Sequence, residues 1–351
     1  MLKKTGLTKD QAKIQFKGYP PTVVSELDVA WAPMSKELSV EQLTTWLETG
    51  AILAKHTARS WEAAAQYFRV SPKVVVLMPF NYFIRWAQLG VRLCEQSPAL
   101  AVSYLQASPG TMAVLRSRHI EAWAKLGLTL YKGTWKSSTL ACRFFEASPS
   151  LMKTLTLSEL DKFVLFLDAL SQNSYDLATE SIKLGQKIFP MVGSDKEPVI
   201  KLLSSLTQKR WRQVKSFFDA ASRALPRIEN TQRLRFLTIS NELVHHGGAN
   251  IPSVMLEVSE SLGELDPGYH SDLLDLTEQL IEISAEAVPP FLQSSCVALQ
   301  RVSMPQLYKW FEEGVRLLNQ NPVGGLAYFR MESLHAEKIL EVLSSSVEFG
   351  R

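Results

Sequence analysis

Apolar residues recur along most of this chain at i, i+3, i+4 and i+7, the spacing of one buried helical face. "FVLFLDALSQNSYDLATESIKLGQKIF" (Phe163 to Phe189) reads as two such helices joined by a polar turn, and "VIKLLSSLTQKRWRQVKSFFDAASRAL" (Val199 to Leu225) reads the same way. "LRFLTISNELVHHGGANIPSVMLEVSESL" (Leu234 to Leu262) breaks at His-His-Gly-Gly, and "LLDLTEQLIEISAEAVPPFLQSSCVALQRV" (Leu273 to Val302) at Pro289-Pro290. No segment sustains the period-2 alternation of a strand, so the pattern predicts an all-α protein.

The helices repeat. Trp-x-x-x-Gly occurs at Trp46/Gly50, Trp86/Gly90, Trp123/Gly127 and Trp310/Gly314. After each of the first three comes a helix with two bulky apolar residues, two spacers and Ser-Pro: "YFRVSP", "YLQASP" and "FFEASP". The prolines are Pro72, Pro109 and Pro149, spaced by 37 and then 40 residues. "AYFRMES" around Tyr328 and Phe329 follows the last Trp-Gly pair. Trp and Gly four apart share a helix face, and a glycine inside a helix costs about 1 kcal/mol against alanine. Close approach by a neighbouring helix would offset that cost. Ser-Pro is expected to end one helix and to N-cap the next, with Pro at its first position.

Paired helices at this period predict an α-solenoid of stacked hairpins, HEAT- or TPR-like, with about eight irregular units. The units fall near 40–79, 80–117, 118–156, 157–193, 194–228, 229–267, 268–303 and 304–351. Residues 1–39 form an N-terminal cap: a basic helix, then loops at "GYPP" and "WAPMS".

Composition narrows the function. The apolar fraction of 46% and charged fraction of 21% are those of a folded, soluble chain. The N-terminus lacks the apolar core of a secretory signal, and charges interrupt every apolar run short of the roughly 18 residues that span a bilayer. A cytoplasmic protein without a membrane span is expected. Cys94, Cys142 and Cys296 have no CxxC spacing and read as reduced, buried thiols.

Candidate chemistry is sparse. His245-His246 reads as a polar helix end, and Asp272 with Asp275 as a solvated helix face. No nucleophile elbow or phosphate loop occurs, so neither an enzyme nor a cofactor is expected. Charge is informative because it is uneven. Between Arg235 and Arg301 there are ten acids and no Lys or Arg, which leaves the rest of the chain at +13 against a net +3. The acidic face includes Glu257, Glu260, Glu264, Asp272, Asp275, Glu278 and Glu282. Just before it lies a basic strip: Lys209, Arg210, Trp211, Arg212, Lys215, Arg223 and Arg227, continuing to Arg233 and Arg235. Such a strip can hold nucleic acid, with Trp211 for stacking. The adjacent acids would repel phosphate, so docking of a protein partner is the better expectation.

The Trp-x-x-x-Gly, bulky-pair and Ser-Pro grammar resembles the helical N-terminal region of bacterial von Willebrand factor A domain proteins related to the nitric oxide reductase activation protein NorD. "GLAYFRMESLHAEKILEVLSSSVEF" (Gly325 to Phe349) looks like the segment that precedes the rest of such proteins. The resemblance implies an adaptor working with a MoxR-type AAA+ ATPase. The Asp-x-Ser-x-Ser adhesion motif of the A domain is absent; the nearest string, "DALSQ" at Asp168, has Leu170 where the first Ser belongs. The resemblance therefore implies either the N-terminal piece of a longer protein or a stand-alone array.

Overall fold

The computed structural model describes residues 7–55, 59–194, 196–246, 267–299 and 302–330. Among them the chain is helical, with a single isolated bridge between Lys17 and Tyr19 and no strand. No helix there is long and apolar enough to cross a membrane. The chain forms two compact units, residues 1–186 and 187–351.

In the first unit α1 (Lys9–Gln15) and α2 (Pro21–Glu37) precede three hairpins: α3 (Val40–Lys55) with α4 (Trp61–Val75), α5 (Phe80–Gln96) with α6 (Pro98–Met112), and α7 (Ile120–Leu130) with α8 (Trp135–Leu151). Then come α9 (Leu157–Ser171) and α10 (Tyr175–Ile188). The second helices α2, α4, α6 and α8 pack side by side, as do the first helices α3, α5, α7 and α9, so the hairpins stack in two layers. The second unit runs α11 (Glu197–Arg210), α12 (Val214–Ala224), α13 (Asn230–His246), α14 (Pro267–Ser284), α15 (Val288–Ala298), α16 (Met304–Gln320) and α17 (Pro322–Phe329). Here α11 packs on α13, α13 on α14, α14 on α16, and α16 on α17. The expectation of an all-α array of helix hairpins holds.

The repeat motif works as a lock inside each hairpin. Trp46, Trp86, Trp123 and Trp310 are fully buried. The second residue of the bulky pair meets its hairpin's own indole edge-on: Phe68 on Trp46 at 5.2 Å, Phe145 on Trp123 at 5.4 Å, Phe329 on Trp310 at 5.2 Å. The glycine is the socket for that ring. A Cβ on Gly50, Gly127 or Gly314 would lie 2.1–2.2 Å from the ring's Cζ. Burying a phenylalanine is worth about 1.5–3 kcal/mol, enough to offset a glycine in mid-helix. In the second hairpin Leu105 replaces the ring, and a Cβ on Gly90 would sit 3.2 Å from it.

In the first two hairpins the first residue of the pair reaches the next hairpin. Tyr67 stacks on Trp86 at 5.6 Å and Tyr104 on Trp123 at 4.7 Å. Their hydroxyls donate back to the carbonyls of Trp46 and Trp86 at 3.4 Å. Burial in this apolar setting raises the pKa of both phenols, so they stay protonated donors.

Two local expectations are corrected. Ser71-Pro72, Ser108-Pro109 and Ser148-Pro149 do not cap the following helices; they lie inside α4, α6 and α8, in the last turn. Each serine is buried and donates to the carbonyl four residues back, at 2.6, 2.7 and 2.8 Å. Two of them also accept an indole N–H: Trp86 Nε1 to Ser108 Oγ at 2.7 Å and Trp123 Nε1 to Ser148 Oγ at 2.9 Å. A helical serine that satisfies a buried Trp cannot also be a cap outside the helix. The pair that does open a helix is Ser97-Pro98, with Pro98 at the first position of α6. The loop expected at "WAPMS" is likewise helical, because α2 buries Val23, Leu27, Ala30, Trp31 and Met34 while packing on α4. Pro33 withholds a hydrogen bond only from the carbonyl of Val29, a residue 72% exposed, where water can replace it. Pro33 precedes Pro72 by 39 residues, the repeat spacing, so α2 occupies the place of a second helix in the stack.

The indole–serine bond makes a prediction. Ser148→Ala strands the buried Trp123 N–H and is expected to cost about 1–3 kcal/mol. Ser71→Ala is expected to cost less, because Trp46 Nε1 has no hydrogen-bond partner to lose. Urea unfolding of the two variants checks the difference.

Candidate functional site

The basic strip begins where α11 ends. Cations in the last turn of a helix complement its dipole, and Lys209 and Arg210 occupy that turn of α11. Lys209 also reaches across to the end of α13, donating to the His245 carbonyl at 2.9 Å. A 3-10 turn, Trp211–Gln213, carries the chain into α12. There the Arg212 guanidinium lies over the Trp211 ring at 5.3 Å, a cation–π contact. Lys209, Arg212 and Lys215 are exposed, with Arg210 and Trp211 half-buried beside them.

Arg223 and Arg227 are exposed too, but at the opposite end of α12. At 1.5 Å per residue Lys215 and Arg223 stand about 12 Å apart along the axis. The strip is thus a corner cluster around Trp211 plus a distant pair. Its continuation is structural. Arg233 donates to the Ile228 carbonyl at 2.9 Å and the Met191 carbonyl at 2.8 Å. Arg235 bonds Glu278 at 2.7 and 2.8 Å, Asp275, and the Ser271 carbonyl at 3.3 Å.

That clasp uses two residues of the acidic face to join α13 to α14. Asp272 is half-buried, and Glu282 is exposed. With Asp275, Asp272 adds negative charge that helps burial to raise the Tyr308 pKa. Glu257, Glu260 and Glu264 lie outside the described residues.

A cleft of about 510 Å³ between α11 and α13 gathers Glu197, Lys201, Asn241, Glu242 and His245. Ser205 Oγ stands 3.0 Å from His245 Nε2. Its hydroxyl is also placed to donate to the Lys201 carbonyl at 3.0 Å, the ordinary back-bond of a helical serine, and the imidazole tautomer sets which of Ser205 and His245 donates to the other. The His246 side chain is outside the described residues. Among those described, no three His, Cys, Asp or Glu residues are placed to hold a metal. Of the cysteines expected to be buried, Cys94 is buried, Cys142 is half-buried, and the Cys296 side chain lies outside the described residues. Burial pushes the Cys94 thiol up to about 11 and raises that of Cys142, which lowers their reactivity.

A surface the repeat grammar does not announce lies in the first unit. Gly133, at φ +76°, turns the chain into α8, and Thr134 caps it by accepting from Ser137 N. The first helical residue, Trp135, is 73% exposed. With Lys136, whose Nζ is 5.8 Å from the ring, and with Arg143, Tyr175, Glu180 and Lys183, it lines an open groove of about 470 Å³ between α8 and α10. Trp135 has Thr139, not glycine, four residues on, but the buried Trp31 has Ser35 there, so the exposure of Trp135 is not readable from the motif.

No family model, curated protein or solved structure matches this chain.

Proposed function

We propose that this protein is a non-enzymatic helical-repeat scaffold that binds a protein partner. The observation that carries the reading is the exposed indole of Trp135. Tryptophan and arginine dominate binding hot spots, and a large aromatic left in water beside an open groove is a ready anchor. The Trp211–Arg212 corner, flanked by Lys209, Arg210 and Lys215, supplies a second surface of the same composition. The resemblance to NorD-type proteins suggests a MoxR-type AAA+ ATPase, or its substrate, as the partner, met in the cytoplasm.

Binding of the purified ATPase from the same organism tests this. Trp135→Ala is expected to weaken affinity about 30-fold, the 2 kcal/mol of a hot-spot residue. Reversing Arg210, Arg212 and Lys215 to Glu is expected to slow association and flatten its salt dependence. Unchanged affinity in both variants would sink the proposal. A base stacked on Trp211 is the competing reading: it requires single-stranded DNA or RNA to bind at low salt and release steeply as salt rises. No mobility shift at low salt disposes of it.

A further inference from the structure

The first three Trp-Gly hairpins are strongly basic. From Lys55 to Lys153 there are thirteen Lys and Arg against four acids, Glu62, Glu95, Glu121 and Glu146. The stack determines where some of this charge falls. Because α4, α6 and α8 lie side by side, their C-terminal ends share one edge, and α5, α7 and α9 start from it. The last turns touch: a Cβ on Gly110 of α6 would be 3.0 Å from Pro149 Cβ of α8.

The corners at this edge pair exposed aliphatic side chains with cations. The α4–α5 corner carries Val76 and Leu77, 61% and 41% exposed, after the exposed Lys73. The α6–α7 corner carries Val114, 43% exposed, with the exposed Arg116 and Arg118. Lys153 is exposed at the α8–α9 corner. Arg118 Nε donates to His119 Nε2 at 3.1 Å, which leaves its charge in place. Of the acids close by in sequence, Glu121 pairs with Arg85 at 3.4 Å, Glu159 accepts from Thr156 N at 2.7 Å as a helix cap, and Asp161 is exposed one turn into α9. The four edge cations outnumber that exposed acid.

We propose that these three corners form a docking edge for an anionic lipid bilayer surface. Neighbouring helices pack 8–10 Å apart, so the corners make a row of about 20 Å. They line neither of the clefts described above. A projecting row suits a flat, soft surface, whereas a peptide seeks a groove. Val76, Leu77 and Val114 enter the boundary between headgroups and acyl chains while Lys73, Arg116, Arg118 and Lys153 meet lipid phosphates and carboxylates. Aliphatic tips flanked by cations match that layered chemistry. Nucleic acid would leave the tips unused.

Sedimentation of the full chain with vesicles tests this. Binding is expected to phosphatidylcholine vesicles containing phosphatidylserine, and not to phosphatidylcholine alone. Each cation near such a surface contributes a factor of about 5, so Arg116→Glu with Arg118→Glu should weaken binding at least about 25-fold. Replacing Val76, Leu77 and Val114 by Ser should weaken it without changing net charge. Arg92→Glu, exposed at the opposite end of α5 about 18 Å from the edge, should leave it unchanged. All these side chains are exposed, so circular dichroism should show each variant folded. The proposal is overturned by absence of binding to the anionic vesicles, by insensitivity to the serine variant, or by an equal loss with Arg92→Glu. It is overturned equally if polyglutamate displaces the chain from vesicles as well from the serine variant as from wild type, since that marks an acidic protein as the partner.

Discussion

Trp123→Ala is expected to destabilise the first unit by about 3–5 kcal/mol, the range for emptying a fully buried tryptophan site. Three contacts are lost together: the stack with Tyr104 at 4.7 Å, the edge-on contact with Phe145 at 5.4 Å, and the bond from Nε1 to Ser148 Oγ at 2.9 Å. The first ties the second hairpin to the third; the other two close the third on itself. A domain is stable by only about 5–15 kcal/mol, so one substitution removes a large share. Stacked hairpins contact mainly their neighbours, so unfolding need not stay all-or-none. Amide hydrogen exchange is the suitable measurement. Protection should fall most in α6, α7 and α8. Wild-type protection throughout those helices would show that the indole is not what holds the hairpins together.

Gly127→Ala tests the socket by its sign. At an ordinary mid-helix position this change stabilises by about 1 kcal/mol. Here the new Cβ would lie 2.1 Å from Phe145 Cζ and 2.6 Å from both Cε atoms. The ring has little room to retreat, with Trp123, Tyr104 at 5.5 Å and Phe144 at 5.7 Å around it. Overpacking of this kind costs about 1–3 kcal/mol, so after the propensity gain a net loss of about 1 kcal/mol is expected. Gly90→Ala faces a flexible leucine at 3.2 Å and is expected to be neutral or stabilising by up to about 1 kcal/mol. Combining Gly127→Ala with Phe145→Leu should cost less than the sum of the two single changes. Urea denaturation of the four variants decides it; equal effects of alanine at positions 90 and 127 would rule out a ring-filled socket.

The helices and their pairing were legible in the sequence because both are local: a periodic apolar face, and Trp-Gly recurring at hairpin length. Partners across helices were not. Nothing in "SP" says that its hydroxyl will accept an indole N–H from a tryptophan 22 or 25 residues earlier, and locally the pair reads as a cap. "WAPMS" reads as a loop because a proline is a local helix breaker, while the packing of α2 on α4 is not local. The basic strip looked continuous because spacing along a chain ignores helix length, and α12 carries Arg223 and Arg227 away from Trp211. Arg235 reads as docking charge in sequence because its partner Glu278 lies 43 residues on. Trp135 breaks the pattern that places Trp46, Trp86 and Trp123 in the core, but Trp31 breaks it too and is buried, so only packing separates the two.

Tyr67 and Tyr104 each face forward onto the following indole while their neighbours Phe68 and Leu105 face home. Every such module ends in the half of a joint that its successor completes, and begins with the other half. An array built this way can gain or lose a whole module and still present mating ends at the splice. A part-module change leaves an aromatic with nothing to meet, so variation in length should come in whole steps.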